Sequence, residues 1–298
     1  MKIKNKNRRA LIKRLLVTVI TVIIILIIGV VLFFNLYNPP LSENHGKIDA
    51  QLFVGDSVNQ PLIVAFGGSQ GGNTWTEDYW LEMRNKFVEK GYAVLSIGYF
   101  NTKNTPEKLD RISINAIYDT IKKVSRRPEI NENRIALLGS SRGGELVLNI
   151  ASRYKDINAV VALVPSNVSF PAQTLTANTS AWTYNDKEIP YMKIPFKAFW
   201  ASLQGDSQRI SEIIIEEQEK TLNGVIKVEK INGPILLLSA KNDELWPSGY
   251  MSNQIENRLR ENNLKYYYEN YLFDGKHHDT KKYFDKVFNF LDEHFRSN

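Results

Sequence analysis

The segment LLGSSRGGE (137–145) places two serines between glycines, directly after an apolar run. Its pattern G-S-S-R-G (139–143) fits G-x-S-x-G, in which a serine on a sharp strand-to-helix turn is exposed as a nucleophile. The spacing selects Ser141 rather than Ser140. A serine between a strand and a helix is also a common helix cap, so the other residues that a nucleophile needs must decide between the two interpretations.

A nucleophilic serine works with a histidine base and a carboxylate, which in this pattern follow it in the order Ser, Asp or Glu, His. Of the four histidines, His45 precedes the serine and His294 lies in an amphipathic C-terminal segment, so both are interpreted as surface residues. The other two, His277 and His278, lie in FDGKHHD, directly after the last predicted strand. Asp243 in SAKNDELWPS follows the strand before that one and is predicted to be the acid.

Other interpretations of the acid remain open at this point. Glu244 and Asp206 are weaker candidates, and Asp243 could be an ordinary turn aspartate. The order of the three residue types, and their places after successive strands, favour a catalytic triad.

Such a triad performs acyl transfer. The histidine takes the proton of Ser141 while the serine oxygen attacks an acyl carbon, and an acyl-enzyme forms. The oxyanion needs two backbone N–H donors, which we expect from Arg142 and from Gly68 or Ser69 in FGGSQGG. That glycine-rich run could also be a phosphate loop, but it lacks the Gly-Lys-Ser/Thr ending.

The elements that would position these residues alternate along the chain, which predicts an α/β fold with a mostly parallel sheet covered by helices on both faces. Strands are predicted at PLIVAF (61–66), YAVLSI (92–97), RIALLG (134–139), NAVVALV (158–164), PILLLS (234–239) and YYYENYLF (266–273). Amphipathic helices are predicted at about 77–89, 107–124, 143–154, 250–262 and 280–295.

The interval from about 165 to 231 interrupts this alternation. It is rich in aromatic residues and proline, has no clear buried strand, and holds one candidate helix at Ser211–Thr221. An insertion of this length in a compact domain is typical of a cap over an active site. Its aromatic residues could line an acyl pocket or form a core of their own.

The N-terminus predicts a membrane anchor. The run LLVTVITVIIILIIGVVLFF (15–34) has no charged residue, and a helix of this length spans about 30 Å, the thickness of a bilayer core. A cleaved signal peptide is the alternative, but its apolar region is usually shorter and ends in small residues. The basic tail at 1–14 predicts a cytoplasmic N-terminus, with the chain beyond the membrane outside the cell.

The composition excludes several classes of function. The whole chain carries a net charge of +6 and residues 1–14 carry +7, so the remainder carries −1 and a nucleic-acid-binding surface is not predicted. The absence of cysteine excludes disulfides and thiolate chemistry. The few histidines and carboxylates lack the spacing of metal ligands, so neither a metal nor another cofactor is predicted.

Several blocks, taken in order, resemble the C-terminal catalytic domain shared by acyl-CoA thioester hydrolases and bile acid-CoA:amino acid N-acyltransferase. They are FGGSQGG, KGYAVLSIGYF, LLGSSRGGELVLNIAS, AVVALVPSNV, SAWTYNDKEIPY and INGPILLLSAKNDELWPS. The resemblance implies an α/β-hydrolase fold with a Ser/Cys–Asp–His triad. Carried onto this chain, it selects Ser141, Asp243 and, when LFDGKHH is aligned without gaps, His278. A shift of one residue selects His277.

Two features of the family do not transfer. Its better-known animal members carry a β-sandwich domain before the hydrolase, for which we expect no counterpart between the anchor and the first strand. Acyl-CoA is an intracellular thioester, whereas the charge pattern predicts an extracellular domain, so either the predicted topology is wrong or the substrate is not a CoA ester. We favour the second alternative because the fold and the triad do not fix the acyl substrate. Acyl transfer to an amine is disfavoured because that branch uses a cysteine nucleophile.

The sequence therefore predicts a membrane-anchored serine hydrolase that cleaves an acyl ester or thioester. The predicted organisation is a cytoplasmic tail (1–14), an anchor (15–34), a linker (35–47) and an α/β-hydrolase domain (48–298) with the cap inserted. A peptidase or dienelactone-hydrolase-like activity is the alternative enzyme, and a non-catalytic binding protein on the same fold is the alternative outside enzymes. The predicted partners are the small acyl substrate and the membrane.

Overall fold

The computed structural model describes residues 2–221 and 223–296. Residue 1 of the predicted tail, residue 222 of the predicted cap and residues 297–298 of the predicted hydrolase domain lie outside the described residues. The α-helices are α1 (Lys2–Leu36), α2 (Asp78–Glu89), α3 (Ile114–Ser125), α4 (Arg142–Ala151), α5 (Phe199–Gln204), α6 (Ser207–Thr221), α7 (Ser248–Glu261) and α8 (Phe284–Leu291). The strands are β1 (Asp49–Phe53), β2 (Gln60–Phe66), β3 (Ala93–Gly98), β4 (Ile112–Ser113), β5 (Ile130–Ser140), β6 (Ala159–Leu163), β7 (Trp182–Tyr184), β8 (Lys187–Glu188), β9 (Ile235–Ala240) and β10 (Tyr268–Phe273).

The main sheet has seven strands in the order β1-β3-β2-β5-β6-β9-β10, and all neighbours are parallel except β1 and β3. All six strands predicted from apolar runs are present. The first strand, DAQLF at β1, was not predicted because it is a half-exposed edge strand without a continuous apolar run.

Helices cover both faces of the sheet, as predicted. Alternate residues of β2 point to opposite sides, so Leu62 and Val64 join one apolar core while Ile63 and Ala65 join the other. The first core packs against α3, α4 and α7, and the second against α2 and α8. Burial on both faces explains why the inner strands read as continuous apolar runs.

The segment after β6 departs from the main sheet and forms a cap. It contains β7 and β8, which join β4 in a separate three-stranded sheet, and the helices α5 and α6. Ile214 and Ile215 of α6 pack with Val168, Phe170 and neighbouring residues in a third apolar core. The candidate helix at Ser211–Thr221 begins earlier than predicted, at Ser207.

Helix α3 begins later than the predicted position near 107, at Ile114.

The N-terminal helix is one continuous element, and its section Leu11–Leu36 is long and apolar enough to cross a membrane. None of this section is buried against the rest of the chain. The linker that follows it touches the hydrolase domain, where Arg111 donates hydrogen bonds to the backbone oxygens of Pro39 (2.7 Å) and Pro40 (3.1 Å).

Candidate active site

Ser141 lies on the sharp turn between β5 and α4. Its backbone has φ 57° and ψ −120°. Residues with a side chain rarely adopt this conformation because it strains the backbone. The surrounding structure enforces it: the N–H of Ser141 donates to the backbone oxygen of Leu163 on β6 (2.9 Å), and its own backbone oxygen accepts from Glu145 (3.0 Å) in the first turn of α4. Strain held in this way exposes the serine side chain at the carboxyl edge of the sheet.

Two glycines make this turn sterically feasible. A Cβ at Gly139 would lie 2.2 Å from the backbone oxygen of Gly143, and a Cβ at Gly143 would lie 2.3 Å from the backbone oxygen of Gly67. Helix α4 therefore approaches both β5 and the loop after β2 more closely than a side chain allows. The glycines of G-S-S-R-G are explained by this packing.

Asp243 and His277 form a buried pair beside the turn. Nδ1 of His277 lies 2.9 Å from both carboxylate oxygens of Asp243, and the two side chains are 3% and 2% exposed. Oδ1 of Asp243 also accepts hydrogen bonds from the backbone N–H groups of Leu245 (3.1 Å) and Trp246 (3.2 Å). These donors hold the carboxylate in one orientation, and a carboxylate on Nδ1 leaves Nε2 of the imidazole free to act as a base.

The other sequence-predicted candidates occupy different positions. The ring centroid of His278, which the gap-free alignment selected, lies 5.2 Å from that of His277, but it is His277 that contacts Asp243. Glu244 accepts a hydrogen bond from the backbone N–H of His277 (3.1 Å) and so supports the base without contacting its ring. Asp206 caps the start of α6 by accepting from the N–H of Arg209 (3.0 Å).

Two of the predicted oxyanion donors lie next to Ser141, one in the loop after β2 and one in the chain. A Cβ at Gly68 would lie 3.1 Å from Cβ of Ser141, so the loop after β2 lies directly against the serine. Arg142 is the first residue of α4, where the N–H groups have no partner inside the helix. Tyr99 fixes the loop by donating its hydroxyl to the backbone oxygen of Gly67 (2.8 Å).

Two cavities meet at Ser141 and share Ser69, Ser141 and Leu245 in their walls. One, of about 540 Å³, is a cleft on the histidine side, lined among others by Gln70, Glu77, His277, His278 and Thr280. The other, of about 330 Å³, lies under the cap and is lined among others by Phe170, Ile194, Ile210, Ile214 and Trp246. We call them the leaving-group cleft and the acyl cavity.

A buried charged network lies beneath the turn. Glu145 is fully buried, its Oε2 is 2.9 Å from Nη1 of Arg142, and its Oε1 accepts from Nε1 of Trp182 (2.5 Å) and the N–H of Phe170 (3.2 Å). Arg142 in turn donates to the backbone oxygens of Phe170 (3.2 Å) and Pro171 (3.0 Å). Burial raises the pKa of Glu145 to about 7, although Arg142 opposes the shift. The network ties α4 to the wall of the acyl cavity.

This network was not predicted. Arg142 was selected only for its backbone, and Glu145 was read as part of a helix. One feature of the sequence could have indicated the network. Arg142 and Glu145 are oppositely charged and lie three residues apart at the start of a helix whose other face is apolar. A charge buried in such a helix requires a partner.

Comparison with known proteins agrees with this architecture. Rat acyl-coenzyme A thioesterase 1 is 27% identical over 220 residues, which cover 72% of this chain and 48% of the relative. The chain thus spans about half the length of the curated relatives it matches. Among solved structures, Pyrococcus horikoshii acylaminoacyl peptidase superposes with a TM-score of 0.56 at 14% identity, covering 83% of this chain and 39% of that one.

The esterase Est1E from Butyrivibrio proteoclasticus, solved with ferulic acid, gives a TM-score of 0.55 at 16% identity and covers 84% of this chain and 96% of that one. These likenesses show an α/β-hydrolase fold. The family described as BAAT / Acyl-CoA thioester hydrolase C terminal matches residues 115–278, which is more than half of the chain. The protein belongs to this family.

Proposed function

We propose that the protein is a membrane-anchored serine hydrolase that cleaves an acyl ester or thioester through Ser141, His277 and Asp243. The observation that carries the proposal is the pair of 2.9 Å contacts between Nδ1 of His277 and the buried carboxylate of Asp243, in a cleft whose wall includes Ser141. The strained backbone of Ser141 supports its role as the nucleophile. In this proposal His277 replaces His278 as the base.

The reaction proceeds in two steps. Nε2 of His277 accepts the proton of the Ser141 hydroxyl while its oxygen bonds to the acyl carbon, and Asp243 stabilises the resulting imidazolium. The N–H of Arg142, together with that of Gly68 or Ser69, stabilises the oxyanion. The imidazolium returns the proton to the departing thiol or alcohol, and water then hydrolyses the acyl-enzyme by the same sequence in reverse.

The two cavities suggest how the substrate lies. The acyl cavity has aromatic and aliphatic walls, which suit a hydrocarbon chain, and its volume of about 330 Å³ is at the lower end of the ~300–1,000 Å³ typical of ligand sites. The leaving-group cleft is lined by His277, the proposed base, which must protonate the departing atom. The acyl group therefore extends under the cap and the leaving group extends past His277.

The leaving group is not expected to be coenzyme A. A groove of about 970 Å³ continues from the leaving-group cleft beyond Tyr79 and His278, and four lysines line it. Each lysine is paired with a carboxylate: Lys86 and Lys281 with Glu82, Lys90 with Asp292, and Lys282 with Asp279. A groove with balanced charges has no electrostatic preference for a polyphosphate.

The section Leu11–Leu36 of α1 is the proposed anchor, with the hydrolase domain on the extracellular side. Its exposed apolar surface and the basic residues that precede it support this arrangement. An extracellular domain would not meet acyl-CoA, in agreement with the balanced groove.

The test compares three butyryl substrates on the purified full chain: the N-acetylcysteamine thioester, the p-nitrophenyl ester and the CoA thioester. We expect hydrolysis of the first two, no preference for the CoA thioester, and loss of activity in Ser141→Ala. A kcat/KM for butyryl-CoA about tenfold or more above that of the short thioester would mean that at least ~1.4 kcal/mol of recognition comes from the nucleotide, against the proposal.

A further inference from the structure

The C-terminal end of α1 is bound to one side of the mouth of the acyl cavity. Nδ2 of Asn178 donates hydrogen bonds to the backbone oxygens of Phe34 (2.8 Å) and Tyr37 (3.1 Å). Oγ1 of Thr176 donates to the same oxygen of Tyr37 (2.9 Å). These two residues belong to the cap segment 173–178, which supplies Gln173, Thr174 and Ala177 to the cavity wall.

This contact sets the height of the cap segment relative to a membrane. The rings of Phe33 and Tyr37 stack with their centroids 5.0 Å apart, and aromatic residues at the end of a membrane helix mark the level of the lipid headgroups. The cap segment bound to Tyr37 therefore lies at that level. Leu175, in the middle of the segment, is 72% exposed.

A second part of the cavity wall also adjoins exposed apolar side chains. Ile194 and Ser207 line the acyl cavity there, and the chain between them forms a 3₁₀ turn followed by α5. This stretch exposes Phe196 (75%), Trp200 (71%) and Leu203 (64%). Large apolar residues grouped on the surface of a soluble domain mark a site of contact with a protein or a membrane.

Both cavity-lining residues at the mouth, Gln173 and Ser207, are exposed, whereas Ser141 lies at the inner end. Exposed apolar side chains thus bracket the opening of the acyl cavity, and one side of that opening is hydrogen-bonded to the membrane helix. We propose that the mouth of the acyl cavity rests on the bilayer that holds α1 and takes its acyl substrate directly from that bilayer. The docking rests on the proposed membrane anchor α1, and the identity of the substrate rests on the proposed hydrolase.

Tryptophan fluorescence tests the docking, because Trp200 is exposed while Trp75, Trp80, Trp182 and Trp246 are buried. The full chain is reconstituted in phosphatidylcholine vesicles, and its emission is compared with that of Trp200→Phe. We expect lipids brominated near the headgroup to quench the emission assigned to Trp200, and aqueous iodide to quench it little. Quenching by iodide and not by brominated lipid, or failure of the protein to float with vesicles, would overturn the proposal.

Kinetics test the delivery of substrate. In the variant Phe196→Ser/Trp200→Ser/Leu203→Ser we expect kcat/KM for an oleoyl ester dissolved in the vesicles to fall about tenfold or more. Hydrolysis of water-soluble p-nitrophenyl butyrate should stay within about twofold, since surface substitutions change little else. The matched control is Val58→Ser, which removes an apolar side chain that is 80% exposed in the loop before β2, at the opposite edge of the sheet.

The two measurements separate this inference from the proposed function. Lipid quenching without hydrolysis of any ester would keep the docking and overturn the enzyme. Unchanged hydrolysis of the vesicle-dissolved ester in the triple variant would overturn delivery from the bilayer and leave the hydrolase in place.

Discussion

At the scale of single residues, the difference between two adjacent histidines decides which one is the base. His277 is buried against Asp243. His278 lines both the leaving-group cleft and the lysine-lined groove of about 970 Å³ that continues from it. We expect His277→Ala to lower kcat for p-nitrophenyl butyrate by about 10⁴-fold or more, as loss of a triad base does. His278→Ala, its matched control, should stay within about tenfold because it removes no group from the proton-transfer path. A larger loss of kcat in His278→Ala than in His277→Ala would make His278 the base, as the gap-free alignment selected.

The choice between His277 and His278 shows what a sequence can and cannot predict. The order Ser, Asp, His and the loop after the last strand were sufficient to select the pair 277–278. Choosing between them requires knowing which imidazole faces Asp243. That orientation depends on the 3₁₀ turn at His277–Tyr283, which the sequence did not predict. Similarly, Glu145 and Trp182 lie far apart in the sequence, and only the path of the cap brings them into contact.

At the scale of elements, the close approach of α4 to the loop after β2 positions the nucleophile. A methyl group at Gly143 would lie 2.3 Å from the backbone oxygen of Gly67, so Gly143→Ala must displace the helix that carries Ser141 and Arg142. We expect a loss of about 1–3 kcal/mol in the free energy of unfolding, measured by urea denaturation, together with a lower kcat. Gly55→Ala is the control, because its Cβ would meet no atom closer than 3.4 Å. Equal stability of the two variants would contradict the packing argument.

The buried carboxylate of Glu145 makes the stability of this element depend on pH. Its pKa is about 7 in the folded protein against 4.5 for an ordinary glutamate, so between these values the folded state binds the proton more tightly than the unfolded state. Its stabilising contribution is fully present below pH 4.5 and is lost as the pH rises through 7. The stability of the wild type relative to Glu145→Gln should therefore fall by up to about 3 kcal/mol from pH 4.5 to 7.5, measured by urea denaturation at each pH. If the difference in the free energy of unfolding between the two proteins did not change with pH, the carboxylate of Glu145 would stay ionised beside Arg142.

Prediction from sequence worked best at this scale for elements buried on both faces. The five inner strands and the edge strand β10 were found from their apolar runs, and the amphipathic helices from their periodicity. The strands β1, β4, β7 and β8 were missed because they are short or half exposed, so no apolar period marks them. The apolar interior of the cap was visible only as an excess of aromatic residues.

At the scale of the whole molecule, α1 is the proposed link between the hydrolase domain and a membrane. The basic residues before Leu15 predict that the hydrolase domain lies outside the cell. A membrane-impermeant, serine-directed phosphonate should therefore label the protein on intact cells, and Ser141→Ala should remove the label. Labelling that requires lysis would reverse the proposed orientation and make acyl-CoA the leading substrate.

The central claim, that Ser141 is the nucleophile, is tested most directly by locating the phosphonate on the purified full chain with mass spectrometry. Cleavage after Arg134 and Arg142 releases IALLGSSR, which contains both Ser140 and Ser141, and fragmentation of this peptide distinguishes them. We expect an adduct on Ser141 that forms in His278→Ala and is strongly reduced in His277→Ala. An adduct on Ser140 or on another residue, or none on the wild type, would contradict it.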